Sequence, residues 1–466
     1  MPNQVGAVIT AGVCDWQIFQ QNESGVASIR ITGQWNSEAD GSVQVRLVHE
    51  DTATAVTAAL DWRNAETKSD HSWMAMLNNV PAGGLYRLET RFNPEVNLAG
   101  EWSTRGDMRH FLGVGDLWVI AGQSNSAGYG RGPVYDPPEL GLHLFRNSEV
   151  WALATHPMNE STDTRHAVNR EGANSAHSPY LHFARILKQQ LGYPIGIVQT
   201  ALGGSPLSRW NPAESAPAEL FDNMVHCVEL AGGAVKGIVW YQGESDANET
   251  EGATYETRFV DAVRMWREAL HNPSLAVITA QLNRVHMAQT AGSNLGWSLV
   301  REAQRRIPHV IERVAVVPTL DLPLSDGIHI SPAGNLLLAD RMARAALQMV
   351  FRVDVEARAP EICAATFMPD LCLVSLSFEN VVSRIDTLDP TAIGFVVTDE
   401  GGSIPVESAT YPGNNTVNLK LTRPPSGKAV VHSAFGIDPP TVPMDMERFI
   451  PILGFYDVPI INGASA

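Results

Sequence analysis

Four short segments hold the side chains whose types and spacing could do chemistry together. Ser124 stands in Gly122-Gln123-Ser124-Asn125, directly after the apolar run 117–121. A serine on a tight turn at a strand end can act as a nucleophile if a base takes its proton and donors hold the resulting oxyanion. Asp326-Gly327-Ile328-His329 supplies such a base. Two intervening residues let the carboxylate turn onto one imidazole nitrogen and leave the other to face a serine. Ala201-Leu202-Gly203-Gly204-Ser205-Pro206, followed by Arg209-Trp210, puts glycines where a backbone N–H can point into a cleft. Trp240-Tyr241-Gln242-Gly243-Glu244-Ser245-Asp246 gathers aromatics, an amide and two acids at one strand end. Each alone also has a plain structural reading as a turn, a cap or core packing. A second function class, a retaining glycoside hydrolase, would use Glu244 with another carboxylate. A third, a non-catalytic carbohydrate-binding protein, would need none of the Ser, His and Asp chemistry.

The elements that must position these segments read as strands alternating with helices between about 111 and 352. Short apolar strands (around 117–121, 194–201, 237–242, 275–282 and 312–320) alternate with helical patterns. The clearest helix covers 178–192. Ser178 caps it, Pro179 opens its first turn, Tyr180, Phe183, Ala184, Leu187 and Leu191 form its apolar stripe, and Gly192 ends it. Further helices are expected over about 255–270 and from Pro332 to about Val350. Continuous apolar strands between helices imply an α/β unit with a parallel sheet covered on both faces, and active sites at the C-terminal ends of its strands.

The flanks have a different texture. Val43, Val45 and Leu47 alternate with polar residues, as do Val374, Leu376 and Phe378, and Val417, Leu419 and Leu421. That is the period of half-buried strands. Three units are therefore expected: a β-domain over 1–110, a catalytic domain over 111–352 and a β-domain over 353–466. At about 150 residues per domain, the 466-residue length agrees.

Taken together, the four segments resemble the SGNH (GDSL-type) hydrolases. Within them the chain is similar to the sialate O-acetylesterase-like carbohydrate esterases, through the stretches GDLWVIAGQSN, ALGGSPLSRW, GIVWYQGESDA, VREAQ and DGIHISPAGN. The resemblance is strong over about 111–350 and weak in the flanks. It implies a flavodoxin-like three-layer sandwich flanked by β-sandwich-like domains, and a serine esterase that removes O-acetyl groups from a carbohydrate through an acyl-enzyme, with no metal or other cofactor. Ser124 would be the nucleophile, His329 the base and then acid, and Asp326 its orienter. The Ser124 and Gly204 N–H groups and the Gln242 amide would form the oxyanion hole. Gln123, Asn125, Arg209, Trp210, Tyr241 and Glu244 would line the substrate. Two positions depart from many relatives: Ser126 replaces a methionine after GQSN, and Ile330 replaces a proline after the histidine.

Composition bounds the partners. Asp plus Glu number 50 against 33 Lys plus Arg, a formal charge of −17. Such a chain is repelled by nucleic-acid backbones and anionic lipid. No apolar run reaches the ~18 residues of a spanning helix. The N-terminus lacks the basic and apolar blocks of a secretion signal, as expected of a cytoplasmic protein or a mature form with its signal removed. Four cysteines are too few for a disulfide framework. Cys363 and Cys372 could pair across a hairpin, and buried free thiols are the plainer reading. His143, His156, His166, His177 and His182 are expected to be surface or pocket groups rather than metal ligands.

Overall fold

The computed structural model describes residues 6–37, 40–95, 103–173 and 175–463. The centre of the fold is a sheet whose strands we number β1 (Thr104–Gly122), β2 (Leu142–Phe145), β3 (Trp151–Leu153), β4 (Ile195–Gln199), β5 (Gly237–Tyr241), β6 (Ala276–Ala280) and β7 (Val314–Val317). They lie in the order β3-β2-β4-β1-β5-β6-β7, all parallel except the antiparallel edge strand β3. Every residue of β4, β5 and β6 is buried, so both faces of the sheet are covered. The order turns back at β1, between β4 and β5. In open α/β sheets the crevice at such a point receives ligands, and Ser124 follows directly from the end of β1.

Among the described residues six α-helices complete this unit: α1 (Ser124–Ala127), α2 (Tyr180–Leu191), α3 (Glu219–Ala231), α4 (Glu249–Ala269), α5 (Ala291–Val310) and α6 (Pro332–Phe351). The sequence pattern and the helices agree at α2, where Tyr180, Phe183, Ala184 and Leu187 are buried and Gly192 closes the helix with φ 79°. Each large apolar group so buried contributes about 1.5–3 kcal/mol. Ser178 is not the cap, however; Pro179 occupies that place and the first turn begins at Tyr180. α4 starts earlier than expected because the Asn248 side chain accepts from the Thr250 and Glu251 N–H groups. α5 has no counterpart in the reading above. It opens with a capping box of Thr290 and Ser293.

The strand β1 is 19 residues long and belongs to two neighbourhoods. Its first half pairs with Gly83–Pro94, and its second half lies between β4 and β5. The N-terminal strands and the central sheet therefore form one continuous eleven-stranded sheet. The boundary expected at 110/111 falls inside a strand. Apolar cores change over a little later: Leu112 and Val114 pack with the N-terminal cluster, and Leu117 onward with the central one. The alternating residues Val43, Val45 and Leu47 point into that N-terminal core, which a second, four-stranded sheet also covers.

Beyond α6 the chain is all β, with Val374, Leu376, Phe378, Val417, Leu419 and Leu421 in one buried cluster. This part is keyed to the centre by buried polar bonds. The Gln281 amide accepts from the Gly454 N–H and donates to its carbonyl, both at 2.8 Å. Arg301 of α5, fully buried, donates to the carbonyl oxygens of Leu282, Asn283, Ala434 and Gly436. All four cysteines are free; Cys363 and Cys372 do not pair, and only Cys227 is buried. Among the described residues no helix is long and apolar enough to cross a membrane.

Candidate active site

Gly122 ends β1 with φ +115°, and a Cβ there would lie 2.4 Å from the Tyr241 carbonyl oxygen of the neighbouring strand β5. Only glycine fits this close approach. The chain then turns at Gln123 into the single turn α1, so Ser124 sits at its first position. Gln123 is anchored by its Oε1, which accepts from the Ser245 N–H at 3.2 Å. Ser126, the first departure from many relatives, earns its place here. Its hydroxyl accepts from the Tyr241 N–H at 2.9 Å and bonds the Tyr180 hydroxyl at 2.7 Å, tying α1 to β5 and α2.

His329 lies on the loop before α6. Its Nδ1 is 2.7 Å from Asp326 Oδ2, while Asp326 Oδ1 accepts from the Ile328 and His329 N–H groups at 2.9 and 2.8 Å. Burial alone would raise the Asp326 carboxyl, but the His329 side chain and these N–H groups hold it below its ordinary value. With Nδ1 donating to the carboxylate, Nε2 carries the free lone pair.

Asn125 joins this loop to the nucleophile turn. Its Oδ1 accepts from the Ile330 N–H at 3.0 Å, and its Nδ2 donates to the Ile328 carbonyl at 3.4 Å. The residue after Ser124 thus grips the backbone on both sides of His329. The second departure is explained by the same bond: a proline at 330 would have no N–H to give.

The glycine pair lies beside this turn. Leu202 N–H and Ser205 Oγ both donate to the Gly122 carbonyl, at 3.1 and 3.4 Å. Gly204 has φ +67° and open space around its Cα. Among the described residues neither its N–H nor that of Ser124 has a hydrogen-bond partner. The Gln242 amide does not join them. It is fully buried, donates to Asp246 Oδ2 at 2.6 Å and to the Ser205 carbonyl at 3.3 Å, and accepts from the Tyr255 hydroxyl. Both of its N–H bonds are committed, so it braces the loop from behind.

Several expected substrate contacts are also internal. Trp210 and Tyr241 are fully buried; Trp210 packs edge-on against Trp240 and donates to Ser205 Oγ, and Tyr241 OH accepts from the Asn283 N–H. Arg209 is paired with Glu219 at 2.7 Å. Glu244 accepts from Asn125 Nδ2 at 2.8 Å, while its other oxygen is enclosed without a partner.

Two residues missing from the sequence reading form the open wall. The Tyr129 ring stacks on His329, centroids 5.0 Å apart. Its hydroxyl donates to Glu171 Oε2 at 2.7 Å, and Glu171 Oε1 accepts from the Gly203 N–H at 2.9 Å and from Asn159 Nδ2 at 2.6 Å. Burial raises the Glu171 carboxyl, against the pull of these three donors. No local pattern marks Glu171 or Asn159. Tyr129 could have been found by its place just after the nucleophile segment.

Burial pushes the Glu244 carboxyl up to about 7, against the bond from Asn125. Between the ordinary value of 4.5 and about 7 the unfolded chain has released this proton while the folded protein keeps it. Stability from this group is therefore full below about 4.5 and lost as pH rises to about 7. Glu244→Gln should remove that loss. The variant should gain stability over the wild type between pH 5 and pH 8, on the order of 3 kcal/mol. Denaturant melts at the two pH values check it, and a constant difference between the proteins would refute it.

Comparisons with known proteins identify the family. The sequence profile described as carbohydrate esterase, sialic acid-specific acetylesterase matches residues 114–348, just over half of the chain. A "probable carbohydrate esterase" of Arabidopsis thaliana is 28% identical over 50% of this chain and 90% of its own length. Human sialate O-acetylesterase is 25% identical over 44% of each chain, so the match spans less than half of that protein. The fold resembles the crystal structure of a carbohydrate acetylesterase from Xanthomonas citri, with a TM-score of 0.67, 20% identity, and 96% and 99% of the two chains covered. By its profile match across β1 to α6, the chain belongs to the carbohydrate esterase family of sialic acid-specific acetylesterases.

Proposed function

We propose that this protein is a serine esterase that removes O-acetyl groups from an acetylated carbohydrate. The observation that carries the reading is the Asp326–His329 pair, held by Asn125 against the turn that bears Ser124. His329 Nε2 takes the Ser124 proton as Oγ attacks the acetyl carbonyl. The oxyanion is met by the Ser124 and Gly204 N–H groups, which are otherwise unspent among the described residues. His329 then protonates the departing sugar oxygen, leaving acetyl-Ser124. Water, deprotonated by the same nitrogen, releases acetate and restores the serine. Asp326 keeps the proton on Nδ1 and stabilises the imidazolium.

The surrounding architecture is proposed to be a three-layer SGNH sandwich with a β-unit on each side, the N-terminal one sharing β1. Tyr129 and Glu171 are the groups best placed to meet the sugar, in place of the internal Trp210 and Tyr241. With no free cation at Arg209, a neutral acetylated sugar suits this acidic chain better than a strongly anionic one.

Acetate release from a panel of native acetylated glycans, before and after treatment with an organophosphonate, tests this reading. One label per chain should appear on the peptide containing Ser124, with parallel loss of acetate release. Labelling elsewhere, or undiminished release after full labelling, would overturn it.

A further inference from the structure

Two clusters of histidines and carboxylates lie in the segment between β2 and α2 and its surroundings, and they differ in one telling distance. In the first, His156 Nε2 and His177 Nε2 stand 2.9 and 3.1 Å from Asp136 Oδ2. Those are ordinary hydrogen bonds. Asn335 Nδ2 donates to His177 Nδ1, which places the His177 proton on Nε2, and Arg185 occupies the other Asp136 oxygen. Apart from His156 Nδ1, which is enclosed without a partner, this cluster is already satisfied by its own protons.

The second cluster is not. Glu149 Oε1 and His166 Nε2 are 3.5 Å apart, and a His226 nitrogen lies within 4.8 Å of both. At 3.5 Å the first pair is too far apart for a normal N–H···O bond. The gap instead matches the edge of a tetrahedron of about 2.0–2.2 Å metal bonds, which is about 3.4 Å. Asn223, itself buried on α3, leaves its Nδ2 without a partner, and the Cys227 thiol stands 3.9 and 3.8 Å from the two His166 ring nitrogens. Arg165, two-thirds exposed, touches only the other Glu149 oxygen, at 3.2 Å. His226 is exposed on α3 and free to swing inward by about the ångström that closure requires.

We propose that Glu149, His166 and His226 bind a divalent transition metal of the zinc, cobalt and nickel class, clipping helix α3 to the β2–β3 hairpin and the turn before Asn169. Two imidazoles and one carboxylate are the borderline ligands these ions take, with water in the fourth place. The clip is structural and takes no part in ester cleavage. It does bear on the same wall, because Arg165 N–H bonds the Asn147 carbonyl and Asn147 Nδ2 bonds Asn159, which holds Glu171.

The test uses the full-length protein stripped with chelator and titrated with zinc chloride by calorimetry, with cobalt(II) absorption as a second readout. About one ion per chain should bind with a dissociation constant of about 10 μM or tighter. At a hundredfold excess over that constant the Tm should rise by about 2–5 °C. His226→Ala changes an exposed side chain, so its fold is expected to stand. It should weaken binding by about 100-fold and abolish the cobalt spectrum, while His156→Ala leaves both intact. Absence of saturable binding in the wild type, or binding unchanged in His226→Ala, would overturn the proposal. So would loss of binding in His156→Ala with His226→Ala unaffected, which would move the ion to the Asp136 cluster.

Discussion

Ser124→Ala lowers the turnover of a short aryl acetate by about a thousandfold or more, with the melting curve unchanged. The size follows from what is removed: without Oγ no acyl-enzyme forms, and the two N–H donors can only assist direct attack by water. The unchanged fold follows from the surroundings. Among the described residues the Ser124 hydroxyl bonds to no other group, whereas its neighbours Gln123, Asn125 and Ser126 all anchor the turn. Acetate release and a thermal melt on the same preparation check both halves. Retained turnover would remove the nucleophile assignment. Adding a second substitution at His329 should cost little more, because the members of such a unit fail together.

Asp326→Asn is expected to cost about 10³–10⁴-fold in kcat, a magnitude taken from the serine protease triad. The reasoning rests on which oxygen does what. Oδ1 accepts the two backbone N–H bonds that shape the loop, and an asparagine Oδ1 can keep both. At the Oδ2 position the variant carries an NH₂, which donates where a carboxylate accepted. The imidazole must then turn its Nδ1 lone pair toward residue 326 and carry its proton on Nε2, where it cannot receive one from Ser124. Asp326→Ala loses the loop bonds as well and should destabilise by about a further 1–2 kcal/mol. Equal melting temperatures for Asn and wild type, with a rate loss that persists at neutral pH, are the expected pair of results. A loss below tenfold would show that Asp326 does not govern the tautomer.

The reactive segments were legible because chemistry and turn geometry coincide in them. Gly122 must be glycine where a strand meets its neighbour, and Asp-x-x-His closes on itself locally. What was illegible depends on contacts far apart in the chain. Glu171 reaches the site through Gly203 and Tyr129, 32 and 42 positions away, and nothing near it in sequence announces this. Trp210 and Tyr241 misled for the opposite reason. Strand ends carry both core and cleft residues, and residue type alone does not say which way a ring turns. Gln242 offers the right donor but spends it on Asp246. The boundary expected at 110/111 lies within one strand, because a single strand can change partners midway without any change in its own alternation.

Arg301 carries a consequence for how the protein is made. Two of its four carbonyl partners, Leu282 and Asn283, lie close to it in the chain, but Ala434 and Gly436 are translated more than 130 residues later. Until that stretch leaves the ribosome, a cation destined for the interior has half its acceptors, and leaving a buried charge so poorly matched costs several kcal/mol. The central sheet can be assembled early, yet it closes around this side chain only when the β-unit beyond α6 arrives. A chain broken before residue 434 would leave Arg301 with only the Leu282 and Asn283 carbonyls and an unfilled pocket around its guanidinium.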